Sequence, residues 1–418
     1  MSAVLPQDPF AGVRRRVLMI AACPFPAPRG TPVRILRIAE SLAARGHEVH
    51  LATYHLGTSG GSLPFAVHRV PRVPTYRRME PGPDYQKLAV MDPLLAGLTL
   101  RLARKLRPDI LHAHHYEGLL CALPAKLALD VPMVFDSHVL LQAELPYYDL
   151  KGLGRAKGRI GAFLDRHLSR RADHVIVVTD DMRRRLLRDG VIPEERLTVA
   201  GNGVEEAFFQ GRRGVFPQDG RQRLLFTGNL ALYQGVDHMV KALALLLRGG
   251  CALRLVVATG SDREAFERLA RDAGVLQSID FIDPTVAQLP DVIASADVAL
   301  NPRTHCPGIP QKLLNYMGAG AAVVSFAGSA KHLRDGENAL VVRDGDVEGF
   351  ARAVARLLDD AALRQVLGER AQLHARENFS WQACVRTVEQ VYEHVLARNP
   401  PQRHHDGRQR AAPDGLRP

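Results

Sequence analysis

Residues 16–53 read RVLMIAACPFPAPRGTPVRILRIAESLAARGHEVHLAT. The opening RVLMIAA (16–22) is a β-rich apolar run of the kind that a parallel strand buried on both faces requires. After the loop CPFPAPRG, Thr31 and Pro32 supply an N-cap and a first-turn proline. Ile35, Ile38, Ala39 and Leu42 then share one helical face, and Gly46 ends the helix. HEVHLAT (47–53) is a second strand. Strand, helix and strand in direct succession predict a βαβ unit and a parallel sheet.

Working outward, DILHAHH (109–115), PMVFDSH (132–138), HVIVVTD (174–180) and RLTVAGNG (196–203) continue the series. A Gly/Arg/Gln-rich stretch, 205–222, reads as a linker. The alternation then restarts with RLLFTGN (223–229), ALRLVVATG (252–260), SIDFID (278–283), DVALNP (297–302), AAVVSF (321–326) and ALVVRD (339–344). The expected fold class is α/β: two Rossmann-like, doubly wound domains facing a central cleft, with ligands at the carboxyl ends of the strands. The expected divisions are a flexible N-terminus (1–15), a first domain (16–204), the linker (205–222) and a second domain (223–380). A final helix (381–397) and a disordered tail (398–418) complete the chain.

The bulk properties agree. A chain of 418 residues with 46% hydrophobic and 24% charged residues suits two domains of about 200 residues each and excludes wholesale disorder. No apolar run approaches the ~18 residues of a spanning helix. The first residues place their arginines after a few apolar side chains, the reverse of a secretory signal. Five dispersed cysteines argue against zinc ribbons and disulfide scaffolds, and read as free thiols in a reducing cytoplasm.

The formal charge is +11, and the folded surplus lies mostly in the first half. Residues 151–171 (KGLGRAKGRIGAFLDRHLSRR) hold seven basic residues and one acidic. Ile160, Phe163, Leu164, His167 and Leu168 recur there at helical spacing. Either a surface helix turns this stripe to the core, or it docks on anionic lipid head groups or a polyanionic acceptor; both readings stand open. Nucleic acid is disfavoured, because aromatic residues are few and no recognised nucleic-acid module is present.

Several residues fall where ligands are expected. Arg29-Gly30-Thr31 lies between the first strand and helix, where glycine serves either a tight turn or a close ligand approach. The absence of GxGxxG argues against a dinucleotide fingerprint. His112, His114 and His115 end one strand; as metal ligands they lack further partners at suitable spacing, so no metal is expected. His138 ends the next strand, as a local cap or a ligand contact. Pro307-Gly308-Ile309-Pro310-Gln311-Lys312-Leu313-Leu314-Asn315-Tyr316 opens a short helix. Its free N–H groups, Lys312, and the pair Gln311 and Asn315 suit a diphosphate with an attached ribose.

The order of these segments resembles the family-4 retaining glycosyltransferases of GT-B fold, from about residue 16 to 397. The resemblance is carried by the loop into RGTPVRILRIAESLAARGHEV, the HAH of DILHAHH, ADHVIVVTDDMRRRLL and NGV (202–204). FTGNLALYQGVDHMVKAL, ASADVALNP, KLLNYMGAGAAVVSF, DGENALVVRDGD and FSWQACVRTVEQVYEHVL extend it. It implies transfer of a sugar from a nucleotide-sugar donor on the second domain to a saccharide or lipid-linked acceptor on the first. The implied reaction retains configuration and uses no metal or other cofactor; Gly30 and His114 would sit at the reacting sugar. Gly228, Asn229, Gln234, Gly308, Ile309, Lys312 and Asn315 would hold the donor, and Arg29, Thr31 and His138 would contact acceptor or sugar.

The donor positions depart from the family pattern. Asn229 and Gln234 stand where the family typically has an arginine and a lysine, and Pro307 and Asn315 where it has glutamates; Lys312 and Arg303 are the nearby cations. Two alternatives follow from those replacements: an inactive pseudo-transferase acting as a binding partner, or a sugar-nucleotide epimerase of the same fold. The expected location is cytoplasmic, with peripheral membrane association through 151–171.

Overall fold

The structure, a computed structural model, describes residues 14–27, 30–57, 62–78, 85–145, 156–306 and 309–399. Arg29, Pro307 and Gly308 therefore lie outside the described residues, as do 1–13 and 400–418 of the expected flexible ends.

The first half builds a seven-stranded, all-parallel sheet. Its strands are β1 (Arg16–Ala21), β2 (Glu48–Thr53), β3 (Ala66–Arg69), β4 (Ile110–His114), β5 (Met133–Ser137), β6 (His174–Val177) and β7 (Leu197–Val199). Their order across the sheet is β3-β2-β1-β4-β5-β6-β7. The second half forms a six-stranded parallel sheet from β8 (Gln222–Thr227), β9 (Leu253–Ala258), β10 (Ile279–Ile282), β11 (Val298–Asn301), β12 (Val323–Phe326) and β13 (Leu340–Val342), in the order β10-β9-β8-β11-β12-β13. In each sheet the direction of strand addition reverses beside the first strand, between β1 and β4 and between β8 and β11. Those reversals leave crevices at the carboxyl ends, where α/β sheets bind ligands.

Strands β1, β4, β5, β8 and β12 are almost wholly buried, as strands covered on both faces are, and β4 and β5 bury His112, His114, Asp136 and Ser137 with their apolar residues. Strand β3 is an edge strand whose residues are partly exposed. Its short sequence, AVHR, carries no apolar run, which is why the sequence reading lacks it.

The helices used below are α1 (Gly30–Ala44), α2 (Asp92–Leu106), α3 (His115–Leu129), α4 (Ala156–Ser169), α5 (Asp180–Arg188), α6 (Glu206–Phe209), α7 (Val236–Arg248), α8 (Gln311–Gly318), α9 (Val347–Asp359), α10 (Ala361–Asn378) and α11 (Trp381–Arg398). Helices α2 and α3 cover one face of the first sheet. On the other face, α1 packs with α11: Trp381, Val385, Val388, Tyr392 and Val395 share a core with Ile35, Ile38 and Leu42. Helix α11, last in the chain and entered from the second half, thus completes the first sheet's core. Among the described residues no helix is long and apolar enough to cross a membrane.

Three local expectations need correction. Helix α1 begins at Gly30, so Thr31 lies within the first turn and is not its N-cap. The stretch 205–222 is not a plain linker, because α6 buries Phe208 and Phe209 in the second half's core. Helix α4 turns only part of the expected stripe inward: Ile160, Leu164 and Leu168 are half-buried, Leu168 packing on the first core, while Phe163 and His167 are exposed. Its buried residues are Gly161, Asp165 and Ser169, while Phe163 is 60% exposed and lies against His167 with ring centroids 4.2 Å apart. Asp165 sets this register by accepting from the backbone N–H groups of Leu141 (2.9 Å) and Gln142 (3.1 Å). A Cβ at Gly161 would lie 2.4 Å from the Gln142 nitrogen, so the backbones meet too closely for a larger residue.

Candidate functional site

The candidate residues gather at the carboxyl ends of the strands flanking the two sheet reversals. In the first sheet Gly30 follows β1 and His114 ends β4. A Cβ at Gly30 would meet nothing within 4 Å among the described residues, so the space beside it is open there.

Beside Gly30 a largely buried network ties five segments together. Asp136 on β5 receives Arg34 Nε on Oδ2 (2.9 Å) and Arg34 Nη2 on Oδ1 (3.1 Å). Arg34 also donates to the carbonyls of Ala200 (2.8 Å) and Gly201 (3.1 Å) and to Asn202 Oδ1 (3.1 Å). His114 Nδ1 lies 3.4 Å and His138 Nε2 3.6 Å from Asp136 Oδ2, with 3.3 Å between these two nitrogens. His138 Nδ1 pairs with Thr31 Oγ1 at 3.1 Å, and His112 Nδ1 with Tyr392 Oη of α11 at 2.6 Å.

The charges follow from this geometry. Burial works against ionisation of Asp136, but the Arg34 guanidinium holds its carboxyl well below the ordinary carboxylate range. Burial and neighbouring His112 push the His114 imidazole well below its usual value, and burial likewise lowers His138. Both rings are therefore neutral at neutral pH. His112, His114 and Asp136 bring ligand-type atoms within 4.8 Å of one another, so the metal partner that sequence spacing lacked is Asp136. Both oxygens of Asp136, however, already receive Arg34, and a guanidinium is the cation this carboxylate holds. His115 departs from the cluster: the strand ends at His114, and His115 starts α3 with its ring paired to Glu117 and Glu144.

In the second sheet Gly228 follows β8 with φ +121°, a value that suits glycine. Asn229 is exposed; its Nδ2 donates to Tyr233 Oη at 2.8 Å. Gly235 has φ +75°, and a Cβ there would fall 2.0 Å from the Pro302 carbonyl oxygen. This close passage seats Gln234 next to α8. Helix α8 is pinned to the end of β8 because Tyr316 Oη accepts from Thr227 N at 2.8 Å. With Leu313, Leu314, Tyr316 and Met317 buried, Gln311, Lys312 and Asn315 are the residues on the open side.

Lys312 Nζ donates to Gln234 Oε1 at 3.0 Å and stands 4.1 Å from the Phe226 ring centroid. It has no carboxylate partner among the described residues. Burial, then the charge of Arg303, pushes its ammonium down to about 7. Arg303 lies over the Tyr233 ring at 5.0 Å. Asn315 Oδ1 accepts from Gln311 Nε2 at 3.2 Å. Ile309, just before α8, lines a cavity of about 390 Å³ walled by both halves, with Thr179, Asp181 and Gly201 on one side and Lys331, His332 and Phe379 on the other. Lys331 Nζ reaches Asp181 Oδ2 across it at 3.6 Å.

Sequence reasoning missed Arg34, the role of Asp136, Tyr392 and Tyr233. Arg34 had a signal: it lies one and two turns before Ile38 and Leu42, on the apolar stripe of α1, where a lone arginine needs a buried carboxylate. Tyr392 had none, because its partner is 280 residues away.

Two parallel doubly wound sheets meeting at a ligand crevice, with the last helix packed on the first, define the GT-B class of sugar transferases. Residues 28–208 match the model of Glycosyltransferase Family 4, and residues 221–360 that of Glycosyl transferases group 1. The chain belongs to the family-4 glycosyltransferases. It is similar to the D-inositol 3-phosphate glycosyltransferase of Acidothermus cellulolyticus, at 29% identity over 92% of this chain and 91% of that one. The glycogen synthase of Mycobacterium tuberculosis is 28% identical over 71% and 72%. Among solved structures, sucrose-phosphate synthase from Thermosynechococcus elongatus superposes with a TM-score of 0.69 at 18% identity, covering 92% of this chain and all of that one. Anabaena HepE in complex with UDP does so at 0.63 and 15% identity, covering 91% and 99%.

Proposed function

We propose that the protein moves a glycosyl group from a nucleotide-sugar donor to a saccharide or lipid-linked acceptor, with retention of configuration. The observation that carries this reading is Lys312: a half-buried ammonium held on Gln234, with no carboxylate partner among the described residues, beside Arg303 at the sheet reversal. Two neighbouring cations with no anion beside them among the described residues form a site that a diphosphate completes. Lys312, Gln234 and Asn229 bind that diphosphate, together with the backbone at Gly228, Gly308 and Ile309, and Asn315 takes the ribose. Gly30 and His114 meet the transferring sugar; Arg29, Thr31 and His138 contact sugar or acceptor. The HepE complex with UDP supports a nucleotide in this fold.

Chemistry in this reading is positioning and electrostatic stabilisation of the departing diphosphate, which takes the acceptor's proton in a front-side attack. No metal or other cofactor is assigned a step. The protein works at the cytoplasmic face of a membrane, held by the basic surface of α4 and its exposed Phe163. Co-sedimentation with anionic vesicles tests that location, and its absence at low salt removes it.

The functional test is incubation with a panel of nucleotide sugars and saccharide or lipid-linked acceptors, reading released nucleotide and glycosylated product. Release that is lost in Lys312→Ala and His114→Ala supports transfer. Saturable binding without turnover replaces it with a non-catalytic binding role, and epimerised donor formed without acceptor replaces it with epimerisation.

A further inference from the structure

The first half carries its unburied apolar side chains on one face. Among its described residues the exposed large apolar ones are Tyr85, Leu88, Val90, Leu120, Leu127 and Phe163. Tyr85 stands just before the π-helical turn Lys87–Met91 that runs into α2, and Leu88 and Val90 stand on it. Leu120 and Leu127 belong to α3, and Phe163 to α4. These helices are neighbours, α2 packing along α3 and α3 touching α4. Helix α3 is apolar on its outer side as well as its inner one. Leu119, Ala122 and Ala125 enter the core, whereas Leu120, Pro124 and Leu127 are exposed. At spacings of four and three residues the exposed set forms one ridge, roughly 10 Å long. A helix apolar on both sides is built to be covered on both.

The same face is basic. Arg101, Arg104, Lys105, Arg107, Arg159 and Arg171 are exposed on it, and none has a carboxylate partner among the described residues. On the opposite face, by contrast, Arg15 pairs with Glu393, Arg37 with Glu40 and Glu205, and Arg45 with Glu389. Apolar side chains among unpaired cations suit a partner that is anionic at its edge and apolar beneath, which describes an anionic bilayer. A nucleic acid would leave the ridge in water, and a second copy would set these cations against one another.

We infer that the layer of α2, α3 and α4 is one membrane-docking face, with the α3 ridge entering the acyl region of an anionic bilayer and the flanking cations at its phosphates. This deepens the proposed membrane location, in which α4 alone makes the contact, and rests on it. Helix α3 starts where β4 ends at His114, so docking along α3 sets the candidate site beside the bilayer, within reach of a lipid-linked acceptor.

The test uses the full chain with vesicles of phosphatidylglycerol mixed with phosphatidylcholine, against phosphatidylcholine alone. Leu127 is 76% exposed, and Val286 of the second half, 80% exposed, is its control. On the anionic vesicles Leu127→Trp should show blue-shifted emission that acyl-brominated lipids quench, and Val286→Trp neither. The one native tryptophan, Trp381, is buried on the opposite face and gives a constant background. Leu120→Glu combined with Leu127→Glu should weaken co-sedimentation about tenfold or more. Arg101→Gln and Arg104→Gln should each weaken it roughly fivefold at low salt, and Val286→Glu should not. If the double glutamate variant fails to fold, the tryptophan emission still decides. Binding that survives the α2 and α3 substitutions and is lost only in Phe163→Glu overturns the inference and leaves the proposed location standing. No binding at low salt removes both. A dimer that Leu127→Glu dissolves, with no vesicle binding, also overturns the inference. Vesicle binding through α3 without turnover of any nucleotide sugar supports it while removing the transferase reading.

Discussion

Raising the pH from 7 to 9 should weaken nucleotide-sugar binding steeply, and Lys312 sets the size of the effect. Its ammonium, over the Phe226 ring and on Gln234, titrates at about 7 when the site holds no anion. A diphosphate favours only the charged form. The apparent Kd therefore rises by about fivefold from pH 7 to 8 and about tenfold more to pH 9, roughly 1.4 kcal/mol per unit. The two phosphates of a nucleotide sugar are both esterified and do not titrate in this window. Calorimetry in two buffers of different ionisation heat at pH 8 should show uptake of nearly one proton per donor bound. Lys312→Arg, charged throughout, should flatten the profile. A wild-type Kd constant within twofold from pH 7 to 9, or binding without proton uptake, refutes the reasoning. The unliganded protein should show the opposite slope. Above pH 7 the unfolded chain keeps a proton that folded Lys312 has released, so stability rises with pH from about 7 toward the ordinary value of 10.5.

Other substitutions separate structural from ligand roles. Arg34→Met leaves Asp136 charged and unpaired in the core, and should cost about 3–5 kcal/mol in urea unfolding. Gly30→Ala should leave the unfolding midpoint unchanged, because a Cβ there meets nothing within 4 Å among the described residues, yet lower kcat/KM tenfold or more. Gly161→Ala, whose Cβ would press 2.4 Å from the Gln142 nitrogen, should destabilise by roughly 1–3 kcal/mol. Gln234→Glu gives Lys312 a carboxylate, which should raise its titration point and weaken donor binding by competing with the phosphates.

The fold was legible to the extent that burial on both faces produces unbroken apolar runs. Strands β1, β2 and β4 to β13 match stretches that such runs mark, whereas β3, half-exposed at the sheet edge, left no trace. Helix α4 is only partly legible for a related reason. Periodicity finds apolar stripes, but the most buried residues of α4 are Gly161, Asp165 and Ser169, set by a close backbone approach and a carboxylate that accepts backbone N–H groups, with Ile160, Leu164 and Leu168 half-buried beside them. At the candidate site, residues at strand ends and in the first turns of the helices that follow are visible in the sequence: His114, His138 and Gly228 at strand ends, Gly30 and Lys312 in first turns. Their partners are not. In the sequence Asp136 is only one residue of a strand end, and Tyr233 sits in a single 3-10 turn with no periodic signal.

Local pattern alone determined the two series of strands and helices, and with them which residues stand at the carboxyl ends where a parallel sheet exposes them to ligand. Only tertiary structure decided the strand order that puts β4 beside β1 and β11 beside β8. It also seated Gln234 against Lys312 and brought Arg34 and Tyr392 to the histidines. The reason is physical. An apolar run reports burial, which any complementary surface satisfies, whereas hydrogen-bond and ion pairs need a partner within about 3 Å at a defined angle. That partner comes from whichever distant segment the folded chain carries there.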